Sequence, residues 1–458
     1  MNNAIASFEK IHSEAHAILF LFGPHWTKVP PLNLLFLRAF LSQQGFKAAI
    51  IDANALFARL LGAPPKQWLS HNKDFEQSLF SQVRCRFPRF IDSLIAAVKN
   101  HNAKVIGFSL FSRNRRATFD FVTALNSYTQ EKTFVFGGPE VAFEYARKDF
   151  FKEISFKNSF FVLGEGELPL SDICNTAYHN LPLSCQTHKG KQLIKDRQIQ
   201  CLDSLPLFDF EGIDRTLYSS NVAPLFSSRG CIRRCAFCSE WGLFRYFRQH
   251  SPASMLKQIK LIQQRYGICI FSFHDSLING NLAWLKTFCE LLIKENLCIQ
   301  WEAQCAIRPE METSLFKKMK AAGCYNLFIG LESASDSVLS RMKKGYTSAD
   351  AEDFFKKLTA SGLHFEVSLI TGFPQETEKD FRQTLCFIKN NKAIIPKIAQ
   401  INPFARYSPA QANKQSPQQH ARARKRLASL VALCEKEHIK FTRAFINNLT
   451  TSHEDTNN

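Results

Sequence analysis

No stretch of this 458-residue chain approaches the roughly 18 consecutive apolar residues that span a bilayer. Met1 to Lys10 lacks an apolar core followed by a small-residue cleavage site, so no secretory signal and a cytoplasmic location are expected. Acidic residues are in deficit, 40 Asp plus Glu against 58 Lys plus Arg, leaving a formal charge of +18. That balance favours anionic partners, although the basic residues are mostly scattered as on a solvated surface. The one dense run is Arg422, Arg424, Lys425 and Arg426. No internal repeat and no RNA-binding motif is visible, so nucleic acid is not an expected partner. With 45% hydrophobic and 21% charged residues, disorder throughout the chain is excluded. The length exceeds one ordinary core and calls for two or three domains.

Phenylalanine is abundant, 43 residues, and reads as core filling because it sits inside apolar segments. Fourteen cysteines without an export signal do not form a disulfide framework. Cys269, Cys289, Cys298, Cys386 and Cys434 read as small buried hydrophobes.

The fold class is α/β. Short apolar strands are expected at 17–22, 47–51, 104–109, 133–136 and 160–163, with helices between them, as in a parallel sheet covered on both faces. This predicts a doubly wound, Rossmann-like domain over residues 1–178, with its ligand at the carboxyl ends of the strands. Residues 179–221 read as a connector with one hairpin. A second series follows, with strands at 224–228, 269–273, 300–305, 326–331, 365–371 and 399–403. Six strand–helix units over 222–410 suggest a partial barrel, since a complete eight-unit barrel needs about 250 residues. Residues 411–458 read as closing helices and a frayed tail.

Directly after the first strand of the second series stands Gly230-Cys231-Ile232-Arg233-Arg234-Cys235-Ala236-Phe237-Cys238. Three thiolates on one tight loop can hold three corners of a [4Fe–4S] cubane and leave one iron open. Gly230 lets the backbone come close, and Arg229, Arg233 and Arg234 are expected to lower the thiol pKa values. The other readings are core cysteines or a zinc site. Zinc usually wants a fourth Cys or His; His250 is the nearest downstream His and no second Cys-x2-Cys follows. At the strand ends where barrel sites lie, Glu332, Asp275 and Arg308 are candidate cofactor contacts.

Cys231, Cys235 and Cys238, with Phe237 before the last cysteine, resemble the signature of the radical S-adenosylmethionine (SAM) superfamily. Ile329-Gly330-Leu331-Glu332-Ser333, Arg341 to Thr347 and Ile370-Thr371-Gly372-Phe373-Pro374-Gln375-Glu376-Thr377 are similar to its fourth- and fifth-strand segments. The likeness covers about residues 222–410. It implies a TIM-type barrel whose cluster binds SAM at the open iron and reduces it, giving methionine and a 5′-deoxyadenosyl radical that abstracts hydrogen. It also implies an external electron donor of flavodoxin or ferredoxin type. Gly372 and its neighbours are then a candidate adenine contact.

The first domain resembles that of the cobalamin-dependent group. The segments that carry the likeness are Pro30-Pro31-Leu32, Phe136-Gly137-Gly138-Pro139-Glu140 and Val162-Leu163-Gly164-Glu165-Gly166-Glu167. Gly137, Gly138, Gly164 and Gly166 are therefore candidate cobalamin contacts, with tight turn geometry as the alternative. The family's Asp-x-His-x-x-Gly motif is missing, since the second strand ends in Asp52-Ala53-Asn54. The resemblance implies a cobalamin-dependent methyltransferase acting on an unactivated carbon of a small molecule or peptide. The alternative is a radical SAM enzyme without functional cobalamin, catalysing an oxidation, rearrangement or cyclisation.

Overall fold

A computed structural model describes residues 14–63, 68–69, 72–126, 131–144, 158–188, 190–195, 197–404 and 417–442. The chain divides into two compact units, residues 1–221 and 222–458. The expected tail over 450–458 lies outside the described residues.

In the first unit, β1 (Ala17–Leu21), β2 (Ala48–Asp52), β3 (Val105–Ser109), β4 (Thr133–Gly137) and β5 (Ser159–Leu163) form the parallel part of a sheet. A hairpin of β6 (Gln186–His188) and β7 (Lys191–Lys195) extends it, β7 lying parallel to β5. The order β2-β1-β3-β4-β5-β7-β6 places a topological switch between β1 and β3. The residues expected to connect the domains thus partly join this sheet.

The strands are buried on both faces because α1 (Leu32–Gln43) and α7 (Glu167–His179) cover one side, while α2 (Ala53–Leu61), α3 (Lys73–Arg86), α4 (Pro88–Asn100) and α5 (Arg115–Asn126) cover the other. Alternation along β1 divides the cores: Ala17, Leu19 and Leu21 enter one, Ile18 and Phe20 the other. Register puts Phe20, Phe108, Phe136 and Phe161 side by side across four strands, with stacked rings 5.5, 5.3 and 5.3 Å apart. Each such ring stabilises by about 2–3 kcal/mol through burial, which is the use expected of the phenylalanines. α6 (Pro139–Ala142) is a single turn after β4.

The second unit is an open parallel sheet in consecutive order: β8 (Val222–Leu225), β11 (Ile270–Phe273), β12 (Gln300–Cys305), β13 (Cys324–Glu332), β14 (Phe365–Thr371) and β15 (Ile398–Pro403). This is the strand arrangement of a partial (β/α)6 barrel. Between β8 and β11 lies a small antiparallel pair, β9 (Ser228–Arg229) with β10 (Arg248–Gln249), and a short α8 (Glu240–Leu243) within its loop. The helices are α9 (Pro252–Tyr266), α10 (Leu282–Lys294), α11 (Thr313–Ala321), α12 (Asp336–Met342), α13 (Ser348–Ser361), α14 (Glu378–Asn390) and α15 (Pro417–Lys436). Capping boxes fix where α13 and α14 begin: Thr347 pairs with Asp350, and Thr377 with Asp380. Among the described residues no helix is long and apolar enough to cross a membrane.

Of the five cysteines expected to be buried, three depart from expectation. Cys289 and Cys434 are buried, but Cys269, Cys298 and Cys386 are exposed. Cys269 and Cys298 stand in turns just before β11 and β12, and Cys386 lies on the outward side of α14, where apolar neighbours in sequence do not enclose them.

Candidate active site

The three cysteines occupy the loop that β9 and β10 close at its neck. Gly230 has φ +82°, and a Cβ there would lie 2.5 Å from the Tyr246 carbonyl oxygen. Its freedom serves the closure of this loop. Below the neck, the carboxylate of Asp275 accepts hydrogen bonds from Ser227 N (3.0 Å) and Ser227 Oγ (2.7 Å), and a close one from Ser228 Oγ. It is fully buried, and burial pushes its pKa up to about 6 against these donors. The sequence marks Asp275 as a cofactor contact; the structure makes it the anchor of the cysteine loop.

A second segment clamps the loop from the other side. After α12 the chain runs Met342 to Tyr346. Ala236 N donates to Met342 O at 3.0 Å, and Arg233 Nη1 to Gly345 O at 3.5 Å. Phe237 packs among Val338, Met342, Phe373, Phe404 and Ile370, which gives the loop an apolar floor. Tyr346 OH reaches Leu331 O at 2.8 Å and Gly330 O at 3.1 Å, tying the segment to the end of β13.

Glu332 ends β13 with φ +63°, a left-handed backbone unusual for glutamate, next to a register shift against β14. Such strain persists where surrounding contacts enforce it and is concentrated at functional sites. Its carboxylate turns back over Gly330, where a Cβ would meet Oε1 at 2.4 Å. Lys344 Nζ lies 3.4 Å from Oε1, and Ser368 Oγ 3.3 Å from Oε2.

Burial pushes all three thiols up, Cys231 to about 11, and mutual repulsion adds to it at Cys231 and Cys238. Arg233 does lower the Cys235 thiol, as expected, but less than Lys344 does, and burial outweighs both. Lys344 itself is lowered by burial but carried net upward by Tyr346, Glu332 and Cys235, so it is charged at neutral pH. Neither Lys344 nor Tyr346 is singled out by sequence reasoning, though both lie in the Arg341–Thr347 segment whose likeness it records. Among the described residues no three His, Cys, Asp or Glu converge on a single ion. A cubane takes one thiolate per iron, so three cysteines spread along one loop without converging on a single point suit a cluster better than zinc.

Other candidates have different work. Arg308 bonds Asn279 O (2.7 Å), Gly280 O (3.0 Å) and Glu310 (2.8 Å), joining the loops after β11 and β12. Gly372 faces α15, where a Cβ would lie 2.6 Å from Ala423 Cβ, so glycine here makes room for the helix. Arg426 is not solvated with its basic neighbours: it is buried and holds Glu376 at 2.6 Å.

In the first unit, the Gly137-Gly138 and Gly164–Gly166 turns follow β4 and β5 at the sheet's carboxyl edge. Gly138 (φ +100°) is required there because a Cβ would strike Leu110 O at 2.6 Å, and a Cβ on Gly166 would touch Leu37 at 3.0 Å. Both close approaches are to protein, the turn-geometry alternative. At Asp52-Ala53-Asn54 every polar group is engaged: Asp52 accepts from Ala55 N and Tyr218 OH, and Asn54 holds His25 N, Trp68 Nε1 and Trp26 O. At the switch point His25 stacks on Phe111, ring centres 4.4 Å apart, a feature too distant in sequence to foresee.

The radical SAM superfamily model matches residues 225–388. An uncharacterized methyltransferase of Pyrococcus horikoshii is 25% identical over 307 residues, 64% of this chain and 65% of the relative. The cobalamin-dependent SAM radical enzyme OxsB, solved with aqua-cobalamin and SAM, superposes with TM-score 0.65 and 18% identity over 93% of this chain and 57% of its own. TsrM from Kitasatospora setae, a radical SAM methyltransferase solved with cobalamin and a [4Fe–4S] cluster, gives TM-score 0.65 and 15% identity over 86% of this chain and 77% of its own. The chain thus spans less than two thirds of the length of the Pyrococcus protein and of OxsB. Cysteine loop, consecutive six-stranded sheet and sequence match agree: residues 225–388 match the radical SAM superfamily model, and the chain has the fold of the cobalamin-dependent radical SAM enzymes on which it superposes.

Proposed function

We propose that the chain is a radical SAM enzyme, a cobalamin-dependent methyltransferase acting on an unactivated carbon of a small molecule or peptide. The observation that carries the reading is the cysteine loop, anchored by Asp275 below and clamped by Met342–Tyr346 above. Cys231, Cys235 and Cys238 would hold three irons of a [4Fe–4S] cluster, which when bound supplies one electron to the sulfonium of SAM. Glu332, at the strand-end face, would take the amino or ribose hydroxyl groups of SAM. The apolar group around Phe237 keeps water from the loop. A flavodoxin or ferredoxin type donor suits the single electron required, and a reducing cytoplasmic setting suits fourteen free thiols.

In the first unit the glycine turns after β4 and β5, with His25 and Phe111 at the switch point, would border a corrin. The absent strand-end histidine and the engaged side chains of Asp52 and Asn54 favour a cobalt without an imidazole from β2. They also motivate the second reading, a radical SAM enzyme without cobalamin performing an oxidation, rearrangement or cyclisation.

The first test is anaerobic reconstitution. With reductant and SAM the protein should release 5′-deoxyadenosine, and replacing the three cysteines by Ala should abolish both iron binding and release. Full iron retention in that variant would refute the assignment.

A further inference from the structure

Lysine is rarely buried, because its ammonium loses hydration that a single partner does not replace. Lys344 is largely enclosed nonetheless: its side chain is 13% exposed and that of its partner Glu332 is 12% exposed. Nζ lies 3.4 Å from Glu332 Oε1, 5.9 Å from the Phe237 ring centre and 5.8 Å from that of Tyr346. A charge-assisted bond is normally closer, about 2.7–2.9 Å. Glu332 therefore does not monopolise this cation, which stands over the ring of Phe237, the residue between Cys235 and Cys238 in the loop.

The position is fixed by backbone. The Ala236 N to Met342 O bond sets the segment against the cysteine loop, and the Tyr346 OH bonds set it against β13. Gly330 leaves room for the pair, since a Cβ would lie 2.4 Å from Glu332 Oε1 and 3.4 Å from Lys344 Nζ. Two aromatic faces shield the ammonium from water, so its field is weakly screened.

We propose that Lys344 is a positioning residue of the redox centre: a fixed positive charge on the Cys235–Cys238 side of the loop that raises the reduction potential of the cluster held there. The inference rests on the function proposed above. Reduction adds one negative charge to the cluster, and a cation held nearby at low dielectric stabilises the reduced form. Glu332 opposes it from the same place, so the two residues should act with opposite sign.

The test is a redox titration of the anaerobically reconstituted chain without SAM, read by electron paramagnetic resonance of the reduced cluster. Poised at the wild-type midpoint, Lys344→Met should lower the ratio of reduced to oxidised cluster about tenfold, while Lys344→Arg stays within about twofold. Glu332→Gln should raise the ratio. Iron content and circular dichroism establish that each variant is loaded and folded. Were Lys344→Met to lose its cluster, Lys344→Arg and Glu332→Gln would carry the test. An unchanged ratio in loaded Lys344→Met, or a fall in Glu332→Gln, would overturn the inference. A wild-type chain that takes up no cluster would instead defeat the proposed function, a separate and visible result.

Discussion

Two buried carboxyl groups set an unusual acid dependence. Asp275 and Asp52 are both pushed up from 3.8 to about 6 by burial. In the unfolded chain they ionise first, so the unfolded state binds fewer protons between these values. Their contribution is full below pH about 4, falls as pH rises, and is lost above about 6. Asp380, held down to about 2 by Ser335, Thr377 and Arg341 against the effect of burial, acts in the lower window with opposite sign. Relative to Asp275→Asn, the wild type should therefore lose up to about 1.4 kcal/mol per pH unit between pH 4 and 6, measured by urea unfolding. A pH-independent difference would refute this. At this scale the cysteines were legible because their spacing is local and chemically specific. Lys344 was not, because a lysine in sequence carries no sign of whether water or protein surrounds it. Asp275 was noticed for its place at a strand end, yet its true partners lie 47 and 48 residues away.

Elements were read more accurately than their attachments. The expected strands at 300–305 and 365–371 match the observed bounds, and most others agree within one or two residues, because continuous apolar runs separated by helical periods have few other solutions. The closing helix α15 was expected, but its fastening was hidden. Arg426 Nη1 bonds Glu376 Oε2, Nη2 reaches Glu376 O at 3.1 Å, and Gly372 N donates to the same carboxylate at 2.9 Å. Removing the cation leaves a buried Glu376 uncompensated, so Arg426→Ala should destabilise the second unit by about 3–5 kcal/mol in denaturant unfolding. Joint replacement by Glu376→Gln and Arg426→Met should cost clearly less than that single change; an equal loss would show that the pair is not the fastening. Gly372→Ala should also loosen α15, because its Cβ would drive into Ala423.

At the scale of the whole molecule, the prediction is that the first unit retains a corrinoid. The purified chain incubated anaerobically with hydroxocobalamin and desalted should keep corrinoid absorbance at about one per chain. The variant lacking all three loop cysteines should keep it equally, because the candidate cobalamin turns lie in a different unit. Complete loss of absorbance from a folded wild type would shift the assignment to the cobalamin-free reading.

By itself the sequence determined the two α/β series and the sulfur ligands, since both are written in short-range patterns of apolar residues and cysteines. The tertiary structure alone decided which polar residues serve the site. It turned Asp275, Arg308 and Gly372 to holding loops and a helix, and it enclosed Lys344 beside the cysteines. The physical reason is that a side chain's charge state and partners depend on burial and on contacts far along the chain, and neither is present in local order.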